Sequence, residues 1–304
     1  MIRCFLVSLF VFLPCLAALC GADAAVWSVT HETLPGKVYL VGSVHAGKAS
    51  MYPLDEVYDR ILSEADFLAF EIADPEKSQL EAVMFASRRG SYPASPEDDL
   101  FTALGEKDFQ KLSGILGVPG PQLRRLKPWV VIGALELKLA QKHGIVPEYG
   151  LERIFHCHAG VRQKISLENT RMQLKILSSA KLEPEMLKSL SETVNDPASA
   201  EENILACVAL VEKGDLEPLV REAEKDRRKY PLMYKALFTD RNQKMANQIL
   251  NMMRNKRTGL VIVGAAHFIG EDSVADLMRK EGCSVVRLPL TGKKGKLEMT
   301  SSPK

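Results

Sequence analysis

"VYLVGSVHAG", residues 38–47, decides the fold. The run is apolar as far as Gly42, and three residues beyond that glycine stands His45. A short apolar run bounded by glycine reads as a buried strand. Residues 53–65 follow with a helical pattern: Leu54, Val57, Tyr58, Ile61 and Leu62 form one stripe. Pro53 suits the first turn, and Asp55 and Glu56 are acidic where the helix dipole favours them. "DFLAFEI", residues 66–72, is a second apolar strand. Strand, helix and strand at this spacing form a β-α-β unit with parallel, buried strands. Residues 259–290 repeat the order: "GLVIVG", a helix that starts acidic and ends at Gly282, then "CSVVRLPL". The expected fold class is therefore α/β, with a central mixed or mostly parallel sheet built from two β-α-β halves.

Between the halves lies a large helical insertion, about residues 76–255. Helices are expected near 76–89, 106–116, 128–143, 147–159, 170–180, 183–194, 199–213 and 215–227, with a long one near 232–254. "QKISLE", 163–168, is a short strand among them, and "GVPGPQ" reads as a loop. One domain spans 25–290, and the basic, polar tail 291–304 is expected to be mobile. Residues 1–24 read as a signal peptide: Arg3, an apolar run over 5–19, then Ala22-Asp23-Ala24 as an A-x-A cleavage pattern. That run is shorter than the ~20 residues a spanning helix needs, so an uncleaved anchor is the lesser alternative. Export to a periplasm or the exterior follows, with no stable membrane insertion once the leader is removed.

The 304 residues are 46% hydrophobic and 26% charged with a formal charge of +2. That is an ordinary globular composition, and it gives no footprint for nucleic acid or an acidic membrane. Six cysteines are present, and only Cys157, Cys207 and Cys283 follow the leader. An odd count rules out a disulfide scaffold and suggests buried thiols.

Sites in open α/β sheets lie beyond the carboxyl ends of the strands. His45 and His267 both stand just past such an end, after Gly42 and Gly264, which allow a sharp turn. Glu71 closes the neighbouring "LAFE" and Glu168 closes "KISLE". If these four ends are adjacent, two imidazoles and two carboxylates converge as a ligand set for a divalent ion such as Zn, Mn, Fe or Co. An ion with an open position makes a nucleophile of water, and either glutamate could be the general base. A lone Gly-x-x-His is a weak motif, and the alternative is two distant histidines, each bonded to backbone. Arg241-Asn242 could face a carboxylate or an oxyanion, or merely follow the helix-starting Asp240. His156 and His158 point to different faces of a helix. His143 suits a helix C-terminus, His31 has no evident partner, and the charge run 221–229 is a solvated face.

In order along the chain, "VYLVGSVHAGKASMYPL", "ADFLAFEI", "GSYPASPEDDL", "LKPWVVIGALEL", "GLERIFHCHAG", "SLENTRMQLKIL", "LFTDRNQKMANQI" and "VGAAHFIGEDSVADLMRKEGCSVVRL" resemble the TraB/GumN family. Its relatives include the Tiki metalloproteases and pheromone-shutdown proteins, and the resemblance covers roughly residues 27–290. It implies a metal-dependent peptidase in which His45, His267 and Glu71 hold the metal or its water. It sets Arg241 and Asn242 on the family's Arg-Asn motif, and Glu168 and Gln173 within its pattern. Two departures are Ser43 where the family has Thr, and Gly150-Leu151-Glu152 where it often has Gly-Ile-Asp. The wider fold includes iron- and haem-binding lipoproteins and esterases, and shared fold does not fix function. The expected function is an exported metal-dependent hydrolase acting on a peptide or small molecule. The alternative is a protein that binds metal, a haem-like ligand or a peptide without turnover.

Overall fold

The structure, a computed structural model, describes residues 23–93 and 99–298. Six strands make one sheet: β1 (Asp23–Thr30), β2 (Lys37–Ser43), β3 (Phe67–Phe70), β4 (Gln163–Ser166), β5 (Thr258–Gly264) and β6 (Ser284–Pro289). Their order is β4-β3-β5-β2-β1-β6. The pairs β4-β3, β3-β5 and β5-β2 are parallel, while β1 runs antiparallel to β2 and to β6. The fold is α/β with a mixed sheet and a helical insertion, as the sequence implies.

The side-chain period of two divides the strand residues between two cores. Tyr39, Val41, Leu68, Phe70, Leu260 and Ile262 face the helices Glu56–Glu64 and Leu151–His158. Val38, Leu40, Ala69, Val261 and Val263 face the helices Asp240–Met253 and Val274–Lys280. Both faces are covered, which is why these strands read as unbroken apolar runs rather than alternating ones. The insertion packs its own core around Leu112, Leu123, Leu135, Leu139 and Leu190. No helix of the described residues is long and apolar enough to cross a membrane.

The structure differs from the sequence reading at several places. β1 was not expected: it begins at Asp23, inside the stretch assigned to the leader, and Ala24, Ala25, Val26 and Val29 are fully buried. The rest of the signal-peptide expectation, residues 1–22, lies outside the described residues. The second β-α-β unit does not pair its own strands, because β6 stands at the sheet edge beyond β1. The first does not either, since β5 slots between β2 and β3. The helix after β2 starts at Glu56, with the Asp55 carboxylate accepting from Val57 N–H as its cap. "GVPGPQ" contributes to a short helix, Gly120–Leu123.

Residues 291–298 are not free. Thr291 and Gly292 donate backbone N–H bonds to Asp55, Lys296 and Leu297 donate to Asp59, and Leu297 is buried. The two acidic residues at the start of helix Glu56–Glu64 supply acceptors that the composition of the tail does not reveal.

Candidate metal centre

Sheet register brings the site together. Ser43 pairs with Gly264, and Phe70 pairs with Ile262, so β2, β5 and β3 end at one level. The ladder runs on past β3 and β4, with Leu167 N–H donating to Phe70 O and Glu168 N–H to Glu71 O, both at 2.9 Å. Glu71 and Glu168 therefore leave the sheet side by side.

The loop carrying His45 is clasped by the segment before helix Leu151–His158. Leu151 N–H donates to Val44 O at 2.9 Å, and Gly47 and Val146 exchange backbone bonds. A Cβ on Gly150 would stand 2.5 Å from His45 O, so only glycine permits this approach. The clasp delivers Glu152. Its Oε1 accepts from Ser43 Oγ at 2.7 Å and lies 3.4 Å from His45 Nδ1.

His267 sits on the short 3-10 turn Ala265–Phe268 and is 3% exposed. Phe238 packs against its ring edge-on, at 5.5 Å between centroids. Asn242 lies behind it. Asn242 Nδ2 donates to Asp272 O at 2.7 Å, which fixes the amide orientation and leaves Oδ1 facing His267 Nδ1 at 2.5 Å. An amide oxygen only accepts, so Nδ1 carries the proton and Nε2 presents a bare lone pair. That lone pair faces Glu71 Oε1 at 3.6 Å, one acceptor opposite another.

Glu71 is closely held. Its Oε1 accepts from Gly264 N–H at 2.9 Å, and its Oε2 from Arg241 Nη2 at 2.8 Å and Gln173 Nε2 at 3.0 Å. Arg241 grips Glu168 through Nε at 2.9 Å and Nη2 at 2.6 Å, the fork geometry a carboxylate suits best. Its Nη1 donates to the carbonyl of Leu237, which lies in the π-helical turn Lys235–Thr239. Such turns recur at functional sites. The side chains of Arg241, Glu71 and Glu168 are 11%, 9% and 7% exposed. Two buried carboxylates against one guanidinium leave one negative charge uncompensated.

These environments shift the titrating groups. Burial pushes the His267 imidazole down to about 4, against the pull of Glu71, so the ring is neutral. Burial works to raise the Glu71 carboxyl, but the positive charges of His45 and Arg241 and the Gly264 N–H hold it below the usual carboxylate range. The Glu152 carboxylate draws His45 up to about 9. The His45 side chain is 71% exposed, so solvent tempers that pull.

His45, Glu71 and Glu152 each bring a ligand atom within 4.8 Å of the other two. Gly264 marks the point of convergence. A Cβ there would stand 3.2 Å from Glu71 Oε1 and 3.8 Å from both His45 Nε2 and His267 Cδ2. The two imidazoles thus lie within twice that last distance of each other. A cavity of about 150 Å³ opens here, lined by His45, Glu71, Gln173, Arg241, Ile176, Leu177 and Leu237.

His45, His267, Glu71, Glu168, Arg241 and Asn242 are therefore brought together. Sequence reasoning gave Glu152 no role at the centre; its one signal was its place in Gly150-Leu151-Glu152. The remaining histidines are engaged elsewhere. His156 Nε2 bonds Ala73 O, His158 Nδ1 bonds Ile154 O, His143 Nε2 bonds Glu201, and His31 Nδ1 accepts from Thr33 N–H.

The sequence profile of the TraB/PrgY/gumN family matches residues 25–287. An uncharacterized protein of Treponema pallidum (strain Nichols) is 23% identical over 262 residues, covering 81% of this chain and 77% of its own. The uncharacterized protein YbaP of Escherichia coli (strain K12) is 29% identical over 156 residues, covering 50% of this chain and 56% of its own. YbaP of Shigella flexneri matches with the same identity and coverage. No solved structure matches the chain.

Proposed function

We propose that this chain, which belongs to the TraB/PrgY/gumN family, is an exported metal-dependent hydrolase that cuts peptide bonds. The observation that carries the reading is the contact between His267 Nε2 and Glu71 Oε1, two acceptors 3.6 Å apart with the proton fixed on the far side of the ring. Facing lone pairs repel unless a cation stands between them. The uncompensated negative charge of the Glu71-Glu168-Arg241 cluster asks for the same thing, since a buried unpaired charge is costly. Imidazole nitrogen and carboxylate oxygen are donors for Zn, Mn, Fe or Co, so the residues fit a divalent ion.

In this reading His45, His267 and Glu71 hold the ion. Glu152 and Asn242 support the two imidazoles at Nδ1, the outer-shell arrangement that orients metal-binding histidines. A bound ion supplies Lewis acidity and makes water a nucleophile near neutral pH. Among the described residues Arg241 keeps one Nη1 hydrogen uncommitted, and it adds positive charge where negative charge develops. Glu168 is fully engaged by Arg241 and Gln173, so it positions Arg241 rather than serving as ligand or base. Glu152 Oε2 has no hydrogen bond among the described residues and is the carboxylate left to take up and return a proton.

The cavity weighs against the haem-binding alternative. Pockets for drug-sized ligands run about 300–1,000 Å³, and about 150 Å³ is too small for a macrocycle. The test is metal content and peptide-library cleavage for the wild type, His45→Ala and His267→Ala. The expected result is one ion per chain and cleavage, both lost in variants that stay folded by circular dichroism. A folded His45→Ala that keeps both would refute the reading. Export rests on the sequence of residues 1–24, and the N-terminus of protein recovered outside the cytoplasm tests it.

A further inference from the structure

The cavity has an apolar wall that the hydrolytic chemistry does not use. Ile176 and Leu177 close the helix Thr170–Leu177, and Leu237 comes from the π turn, all three lining the same space as the metal centre. A volume of about 150 Å³ matches a cavity known to hold one benzene ring. Its side formed by Ile176, Leu177 and Leu237 has room for one apolar side chain of Leu or Met size.

Gln173 lines this cavity and is oriented without ambiguity. Both hydrogens of its Nε2 are spent, one on Glu71 Oε2 at 3.0 Å and one on Glu168 Oε2 at 2.9 Å. Its Oε1 makes no hydrogen bond among the described residues, so one acceptor remains beside an aliphatic wall. That pair of features complements a single amino-acid residue: an apolar side chain with its own backbone N–H.

The geometry points to a specificity pocket for one apolar residue of a peptide, seated beside the metal centre. Ile176, Leu177 and Leu237 take the side chain, and Gln173 Oε1 takes the N–H. This deepens the hydrolase reading, on which it rests for placing that residue next to the bond that is cut.

The test begins with binding, which needs no turnover. The full chain, methyl-labelled at Ile and Leu, is titrated with N-acetyl-leucinamide and N-acetyl-glycinamide. The leucine compound is expected to shift the methyls of Ile176, Leu177 and Leu237 and to bind at least about 10-fold more tightly than the glycine compound. Ile176→Trp fills the pocket and is expected to abolish that advantage, while Leu237→Ala enlarges it and extends binding to N-acetyl-tryptophanamide. In a peptide panel, Leu is expected to exceed Gly at one position bordering the cut by about 10- to 100-fold in kcat/KM. Ile176→Trp should remove the preference for Leu over Gly. A leucine compound that binds no better than the glycine one, or that shifts methyls elsewhere, overturns the pocket. If the leucine compound seats but no peptide is cut with any divalent ion, the hydrolase reading falls and the pocket stands. Peptides cut without preference, with no seating, remove the pocket and leave the hydrolase.

Discussion

Gly264→Ala perturbs the proposed metal centre without removing any of the side chains assigned to it. The backbone there has φ −51° and ψ 134°, a conformation open to alanine. The new methyl would stand 3.2 Å from Glu71 Oε1 and 3.8 Å from His45 Nε2 and His267 Cδ2. Replacing glycine at a compatible position stabilises by about 0.4–1 kcal/mol through the unfolded chain. The tight contact with Glu71 offsets a similar amount, so ion-free stability is expected to move by less than about 1 kcal/mol. Ion binding is different. Bonds of about 2.0–2.2 Å must form among groups that the methyl now touches. A loss of at least about 100-fold in affinity, or about 2.7 kcal/mol, is expected. Thermal melts with EDTA and with Zn, Mn or Co, together with calorimetric titration, read this directly. At an ion concentration of about 100 times Kd the wild type should gain about 2.7 kcal/mol, and the variant almost none. Equal gains in both proteins would refute the placement of the centre at Gly264, and no gain in the wild type would refute the centre itself.

Three further outcomes follow from other features. Arg241→Met leaves Glu71 and Glu168 buried side by side without their guanidinium. It should cost about 3–5 kcal/mol in urea unfolding, and a loss under about 1 kcal/mol would contradict the buried-pair argument. The Asp226 carboxyl is raised from 3.8 to about 6, first by burial and then by Glu222, against Lys225 and Lys229. A raised folded value means its contribution is full below about pH 4 and lost as pH climbs through about 6. Asp226→Asn should therefore stabilise by about 1–2 kcal/mol at pH 7.5, after allowance for partial exposure, and by nothing at pH 3.5; equal effects at both values would sink the assignment. Asp55→Ala removes both a helix cap and the acceptor for Thr291 and Gly292. A loss of about 1–3 kcal/mol is expected, with faster amide exchange at residues 291–297, and unchanged exchange there would disprove the attachment.

Much of this was written locally in the chain. β2, β3 and β5 could be read because strands buried on both faces are unbroken apolar runs, and the glycines after them mark where the chain leaves the sheet. The helices of the insertion stood out by their apolar period. β1 was hidden because its small apolar start continues the composition of the leader. No local signal places β5 between β2 and β3, since strand order is decided by packing across the whole sheet. Glu168 was recognisable as a carboxylate at a strand end, but its capture by Arg241 depends on a helix far along the chain. Glu152 was missed for the same kind of reason. Its position follows from the close approach of Gly150 to His45 O, and a helix carrying Leu151, Ile154 and Phe155 reads as ordinary core.

The seat of β5 between β2 and β3 has a temporal consequence. His45 and Glu71 are synthesised early, Asn242 and His267 late, and only the arrival of Thr258–Gly264 joins the two groups. A nascent chain, or one cut within the insertion, holds half of the proposed centre. If the proposed centre binds an ion, two such fragments would regain that binding only on mixing, so the completed sheet sets the moment at which the site exists.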